Sequence, residues 1–255
     1  MMEAEGRNGG NIEIRCGEEL DADGVHVRYK LRCNCTYLEF WTLSGGRDVL
    51  EFFDYKAFRY VEVIGGGLAL EPQHFAAVVR HYPMDDDNCS FSTSHARLDS
   101  IWRICSNAVN YGTQEQFMEC PTREKGQYLG DNTIIAHSHM YLSGDYRLTR
   151  KALRDFALSV KAVCPGLLAV APGSFMQEIA DFSLQWPLQL LQYAKQNGDL
   201  EFALEMLPVA EGIAAYFRQY EREDGLLQDV KEGGSGNSGS ASRCRSAKQS
   251  SMQPL

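Results

Sequence analysis

The sequence predicts an α+β protein in which an antiparallel β-sandwich segment is followed by part of an α/α toroid of helix hairpins. Three observations carry this prediction. Period-two alternation between turn signals fills the first ~90 residues, the pattern of short antiparallel strands. Helical periodicity replaces it after Ser92. Within the helical half, a Gly-Asp dipeptide recurs at Gly130-Asp131, Gly144-Asp145 and Gly198-Asp199, each time ahead of an apolar-periodic segment.

In chain order, strands are expected at Asn11–Cys16, Val25–Leu31 and Tyr60–Ile64, where polar and apolar residues alternate. Turns are expected at Asp21–Gly24, Ser44–Gly46 and Gly65–Gly67. Asp85-Asp86-Asp87-Asn88 lacks the spacing of a calcium loop and reads as a solvated linker between domains. The first helix carries Leu98, Ile101, Trp102, Cys105, Ala108 and Val109 on one stripe, which predicts a buried face. Further helices are expected at about 132–142, 146–163, 177–196 and 200–221, from the same periodicity. The last places Leu200, Ala203, Leu204, Leu207, Ala210, Ile213, Ala214 and Phe217 on one stripe.

At Gly144-Asp145 and Gly198-Asp199 the glycine is expected to take the left-handed position that ends a helix, and the aspartate to cap the next one. Such joints build antiparallel helix hairpins, and the two copies 54 residues apart suggest a repeated hairpin. From Lys231 to Leu255 periodicity and most apolar residues disappear, so a disordered tail is expected there. Helix faces left uncovered by such an ending are expected to promote self-association. The domain expectation is therefore β-sandwich sequence at 1–92, helical toroid at 93–230 and tail at 231–255.

The formal net charge of −9 and the absence of a basic stripe argue against nucleic acid as a partner. No run of about 18 apolar residues predicts a membrane span. The first eight residues have no apolar core of a leader peptide, which places the expected location in the cytoplasm. The eight cysteines are then read as reduced thiols. Cys33-Asn34-Cys35 has no second pair at zinc-site spacing, so no metal is expected.

The densest polar cluster is Glu119-Cys120-Pro121-Thr122-Arg123-Glu124-Lys125-Gly126-Gln127-Tyr128-Leu129-Gly130-Asp131. Pro121 and Gly126 keep it from being a plain helix, so it reads as a loop between two helices. Glycoside hydrolysis needs one carboxyl to protonate the leaving oxygen and a second carboxylate to activate water or attack the sugar. Glu119, Glu124 and Asp131 supply carboxylates, Arg123 can hold a carboxylate or a sugar hydroxyl, and Tyr128 can lie against a sugar face. A solvated, purely decorative loop is the competing reading of the same composition.

The loop resembles the signature segment of bacterial α-L-rhamnosidases, in which Asp-Cys-Pro, Arg and Glu, an aromatic and Gly-Asp recur in this order. Ile179-Ala180-Asp181-Phe182-Ser183-Leu184-Gln185-Trp186 with Gly198-Asp199 resembles the family's next block. Tyr55–Val63 and Gly17-Glu18-Glu19-Leu20 resemble the end of its preceding β-sandwich. The resemblance covers about residues 12–230 and makes 1–92 the C-terminal part of that sandwich. It implies a partial (α/α)6 toroid, a rhamnose-containing glycoside or oligosaccharide as substrate, inversion at the anomeric carbon and no cofactor.

By resemblance Glu124 is the general acid, and Glu119, Arg123, Tyr128, Asp131, Asp181 and Trp186 line the sugar pocket. Arg123 is expected to pair with Glu119, since pairing with Glu124 would oppose the raised pKa that an acid requires. Glu119 stands where the family usually has Asp, and Tyr128 where many members have Trp. The family's general base comes from later in the helical domain. This chain is therefore expected to be incomplete, by truncation or a change of frame near residue 231. The alternative reading is a non-catalytic remnant with weak sugar binding, or a helical interaction module.

Simpler roles remain open for several of these residues. Asp131 can serve only as a helix cap. Trp186 lies on a stripe with Leu184, Leu188 and Leu191 and can be pure core. His137 and His139 read as surface or packed histidines, Cys120 as no nucleophile, and Trp41 and Trp102 as core. Glu211, Glu221, Glu223 and Asp224 read as solvated acids.

Overall fold

The computed structural model describes residues 1–65, 70–85, 88–232 and 245–246. The expectations for Gly66 and Gly67, for Asp86 and Asp87, and for most of the tail beyond Glu232 lie outside the described residues. Within that tail, Arg245–Ser246 pairs with Lys231–Glu232. The chain forms two compact units, one of Met1–Arg80 with Cys120–Lys125, the other of His81–Glu119 with the chain from Gly126 onward.

In the first unit, β2 (Asn11–Gly17) is the central strand of an antiparallel sheet in the order β3-β2-β5, with β3 at Leu38–Thr42 and β5 at Tyr60–Gly65. Ile12, Ile14 and Cys16 point to one face and are buried, as the alternation predicts. A second antiparallel pair joins β1 (Met2–Glu5) to β4 (Arg47–Leu50). Met2, Ala4, Ile12, Ile14, Cys16, Tyr37, Leu43 and Leu50 form one core between these sheets. The strand expected at Val25–Leu31 does not form. Only isolated bridges occur there, Leu20 with Val27 and Lys30 with Thr36. Val25 is exposed and Val27 buried, so the alternation reflects one inward valine and not a paired strand.

The second unit contains α1 (Ala96–Gly112), α2 (Leu129–Ser143), α3 (Arg147–Ser159), a short hairpin of β6 (Ala169–Ala171) and β7 (Phe175–Glu178), α4 (Ala180–Asn197) and α5 (Leu200–Arg218). Gly144 and Gly198 end α2 and α4 in the left-handed conformation, at φ 64° and 73°. Asp199 is the N-cap of α5 and accepts the Phe202 N–H at 3.1 Å. Asp145 lies one residue before the α3 cap and accepts the Arg147 N–H at 2.9 Å. These joints make two successive antiparallel hairpins. Arg150 pairs with Asp199 and Arg154 with Glu205, so α3 and α5 run in the same direction.

Two helical faces differ from expectation. The α1 stripe is not buried, since Leu98, Ile101, Cys105 and Ala108 are exposed and the helix has no buried residue. On α5 the buried residues are Phe202, Met206, Ile213, Tyr216 and Phe217, while Leu200, Leu204, Leu207 and Ala214 face solvent. Among the described residues no helix is long and apolar enough to cross a membrane. Cys16, Cys35, Cys89, Cys105, Cys120 and Cys164 are free thiols.

Candidate active site

The predicted loop divides between the two units. Its tip, Cys120–Lys125, belongs to the β unit and is fixed there by its backbone and by one cation. The Thr122 carbonyl accepts from the Tyr37 hydroxyl at 3.3 Å and is approached by the Cys35 thiol at 3.7 Å. The Lys125 ammonium donates to both carboxylate oxygens of Asp54 at 2.9 Å and to the Tyr55 carbonyl at 2.6 Å. It also lies over the Tyr55 ring, 4.2 Å from the centroid. Lys125 adopts φ 51°, a left-handed conformation that costs a non-glycine residue, and these contacts hold it there.

Glu124 precedes Lys125 and is exposed. Its carboxylate accepts from the Arg123 guanidinium at 2.5 Å, and its N–H points to the Cys120 sulfur at 3.4 Å. Arg123 therefore pairs with its chain neighbour Glu124, the arrangement that the sequence argument disfavoured.

The helical unit carries the remaining candidates. Glu119 donates its N–H to the Gly126 carbonyl at 3.0 Å, and the Gly126 N–H donates to the Glu119 carboxylate at 3.1 Å. This reciprocal pair closes the base of the loop and uses Glu119 as a structural acceptor. Gly126 permits the closure, since a Cβ there would lie 2.9 Å from the Tyr128 ring. Tyr128 is the N-cap of α2, so the helix begins at Leu129.

Gly130 and Asp131 are consequently inside the first turn of α2, which corrects the expectation of a helix starting near residue 132 with Asp131 as its cap. Gly130 has a different duty: a Cβ on it would meet the Phe182 ring at 2.7–2.9 Å. The glycine lets α4 approach α2. Asp131 in the first turn of α2 and Asp181 in the first turn of α4 are both exposed. Each lies at the positive end of a helix dipole, where a carboxylate is favoured. Thr133 donates to Gln185 at 2.9 Å, and with the Gly130–Phe182 approach this runs α2 and α4 in the same direction. The two acidic helix starts therefore share one end of the helix pair.

Trp186 is not a pocket residue. It is fully buried in the helical core, and its indole N–H donates to the Leu153 carbonyl at 3.1 Å. The stripe assigned to it is also corrected, since Leu184, Leu188 and Leu191 are exposed on the other side of α4. A buried polar layer that the sequence reading missed sits between α2 and α4. Gln189 accepts from Asn132 at 2.6 Å and donates to the Leu129 carbonyl at 2.9 Å and to Thr133 at 2.7 Å. Neither residue belongs to a recognisable motif, and only their pairing across 57 positions reveals them.

The family profile for the bacterial alpha-L-rhamnosidase six-hairpin glycosidase domain matches residues 86–231, and that for the bacterial alpha-L-rhamnosidase concanavalin-like domain matches residues 1–81. The chain belongs to the bacterial alpha-L-rhamnosidase family. Its fold is similar to that of a GH78 family rhamnosidase of Bacillus sp. GL1, with 19% identity, a TM-score of 0.74 and coverage of 89% of this chain and 23% of that one. It is likewise similar to the native rhamnosidase of Aspergillus terreus, with 20% identity, a TM-score of 0.73 and coverage of 89% and 27%. A rhamnosidase from Klebsiella oxytoca with rhamnose bound gives 18% identity, a TM-score of 0.66 and coverage of 89% and 47%. This rhamnosidase-family chain thus spans about a quarter to a half of the length of these structures. No curated protein matches significantly.

Proposed function

We propose that this chain is an α-L-rhamnosidase-type glycoside hydrolase acting on terminal rhamnosyl residues with inversion, and that Glu124 is its general acid. The observation that carries the reading is the loop tip. Glu124 sits between a pinned Thr122 and a pinned Lys125, so the backbone that presents its carboxyl is fixed on a rigid scaffold. In the reaction the Glu124 carboxyl gives its proton to the glycosidic oxygen as the C–O bond breaks. A water activated by a second carboxylate attacks the opposite face of the anomeric carbon. Arg123, Tyr128, Asp131 and Asp181 are proposed to hold the sugar by hydrogen bonds and ring contact. Glu119 contributes by closing the loop base.

The bound rhamnose in the Klebsiella oxytoca structure supports a rhamnose-containing glycoside as the substrate class. The test is release of chromophore from an aryl α-L-rhamnoside by the chain and by Glu124→Gln. We expect turnover to fall at least about a hundredfold in the variant while rhamnose-dependent thermal stabilisation persists. Equal activity in both proteins removes Glu124 from the acid role. A second reading, sugar binding without turnover, is favoured by the Arg123 guanidinium, which already occupies the Glu124 carboxylate. Stabilisation by rhamnose in a chain that releases no chromophore would select it.

A further inference from the structure

The helical unit carries two exposed apolar seams that match each other. On α1, Arg97, Ile101, Ile104 and Ala108 recur at intervals of four, three and four residues, and all are exposed. On α5, Leu200, Leu204, Leu207 and Glu211 recur at the same intervals, and all are exposed. This alternation is the heptad seam by which two helices pack side by side. Ile104 and Leu204, at the centres of the two seams, are 69% and 68% exposed.

Set antiparallel, the seams fall into one register: Arg97 opposite Glu211, Ile101 opposite Leu207, Ile104 opposite Leu204 and Ala108 opposite Leu200. Three apolar pairs then meet, and the single charge on each seam finds its opposite. Among the described residues neither Arg97 nor Glu211 makes an ion pair within the chain. A slip by one turn leaves Arg97 facing Leu207 and Glu211 unopposed, so the charges select this register. The seams lie at different places in the helix stack, since α1 packs on α2 while α5 packs on α3 and α4. One copy therefore presents both halves of the contact.

We infer that the chain self-associates head to tail, the α1 seam of one copy lying antiparallel on the α5 seam of the next. The occupant of each face is a second copy because the complement of each seam, in spacing and in charge, is present on this same chain. Such a heterologous contact leaves a free face at each end of a pair, so copies add as concentration rises, into a ring where the rotation closes and an open chain where it does not.

Sedimentation velocity on the intact chain over a wide concentration range tests this. We expect a mass that climbs beyond a dimer. Ile104→Glu and Leu204→Glu each place a charge in the seam and should each raise the dissociation constant about tenfold or more, with unchanged circular dichroism. Mixing these two variants is decisive: each retains one intact face, so the mixture should form a heterodimer and stop there. Charge reversal by Arg97→Glu should weaken association, and adding Glu211→Arg should restore it. A wild-type chain that stays monomeric, variants that do not heterodimerise, or a double reversal that fails to rescue would each overturn the proposal.

Discussion

A methyl group added at Gly130 would press on the Phe182 ring at 2.7–2.9 Å, yet the atoms it meets are the far edge of a half-buried side chain that can tilt. Gly130→Ala is expected to cost about 1 kcal/mol, and the cost should vanish when Phe182 is also Ala. Gly166 is a harder case. It adopts φ 90°, and a Cβ there would sit 2.6 Å from the Tyr216 Cβ, which cannot swing away. Gly166→Ala should cost about 3 kcal/mol, measured by urea unfolding, and no Tyr216 truncation short of Gly should recover it fully. The same scale governs acid stability. The Arg147 guanidinium and N–H, with the Tyr82 hydroxyl, hold the Asp145 carboxyl down from 3.8 to about 2. A depressed carboxyl contributes stability above its unfolded value that is lost as pH falls through the folded one. Asp145→Asn should therefore remove up to about 2 kcal/mol near neutrality, less because Arg147 is solvent-screened, and flatten the stability profile between about pH 4 and pH 2. His139 acts earlier. Burial holds its pKa below 6.5, so the unfolded chain takes up the proton first and stability falls as pH drops below 6.5. His139→Phe keeps the edge contacts to Tyr82 and Phe117 and should remove that first step.

Helices were legible in the sequence where a local signal sufficed. Gly144 and Gly198 mark their termini because a left-handed glycine and a following aspartate are chemistry within two residues. Faces were less legible, because periodicity shows which side is apolar and not whether a partner covers it. The α1 stripe is as periodic as predicted and still exposed. On α5 two apolar faces compete, and Phe202, Met206 and Tyr216 win burial because they fit the core with Tyr193 and Phe156. Gly130-Asp131 copies the joint dipeptide, yet its role is set by Phe182, which is 52 positions away and outside any local window. The Asn132–Gln189 layer belongs to this class of long-range feature. Gln189→Leu leaves the Asn132 amide without its acceptor in a buried site and removes one of the donors to the Leu129 carbonyl, which keeps the Thr133 hydroxyl. The expected loss is about 2–4 kcal/mol, with faster hydrogen exchange at the starts of α2 and α4. Retained stability would show that water replaces the glutamine.

On the scale of the whole molecule, the order of the two units was legible and their interleaving was not. Strand-like sequence precedes helical sequence, as the two matched family profiles have it. Nothing local in Pro121-Thr122-Arg123-Glu124-Lys125, however, says that a segment between helices packs with the β unit. The partners that hold it are Tyr37, Asp54 and Tyr55, some 70 to 85 residues earlier. Residues in both sequence halves therefore position the proposed acid, and the consequence can be measured at Lys125. Lys125→Met keeps the aliphatic stem and removes three charge-assisted donations, two to Asp54 and one to Tyr55. Asp54 is 66% exposed and can return to water, so the cost is confined to the lost bonds and the Tyr55 carbonyl, about 1–2 kcal/mol. Loss of the ammonium anchor removes three of the contacts that keep residue 125 at φ 51°, and relaxation of that backbone turns Glu124 away from its present direction. The expected signature is faster amide exchange at Thr122–Glu124 with undiminished helical circular dichroism, and a larger loss in rhamnoside turnover than in rhamnose affinity. Unchanged protection in the variant would mean that Tyr37 and the thiol of Cys35 suffice to hold the loop, and that the strained lysine is incidental to the acid it follows.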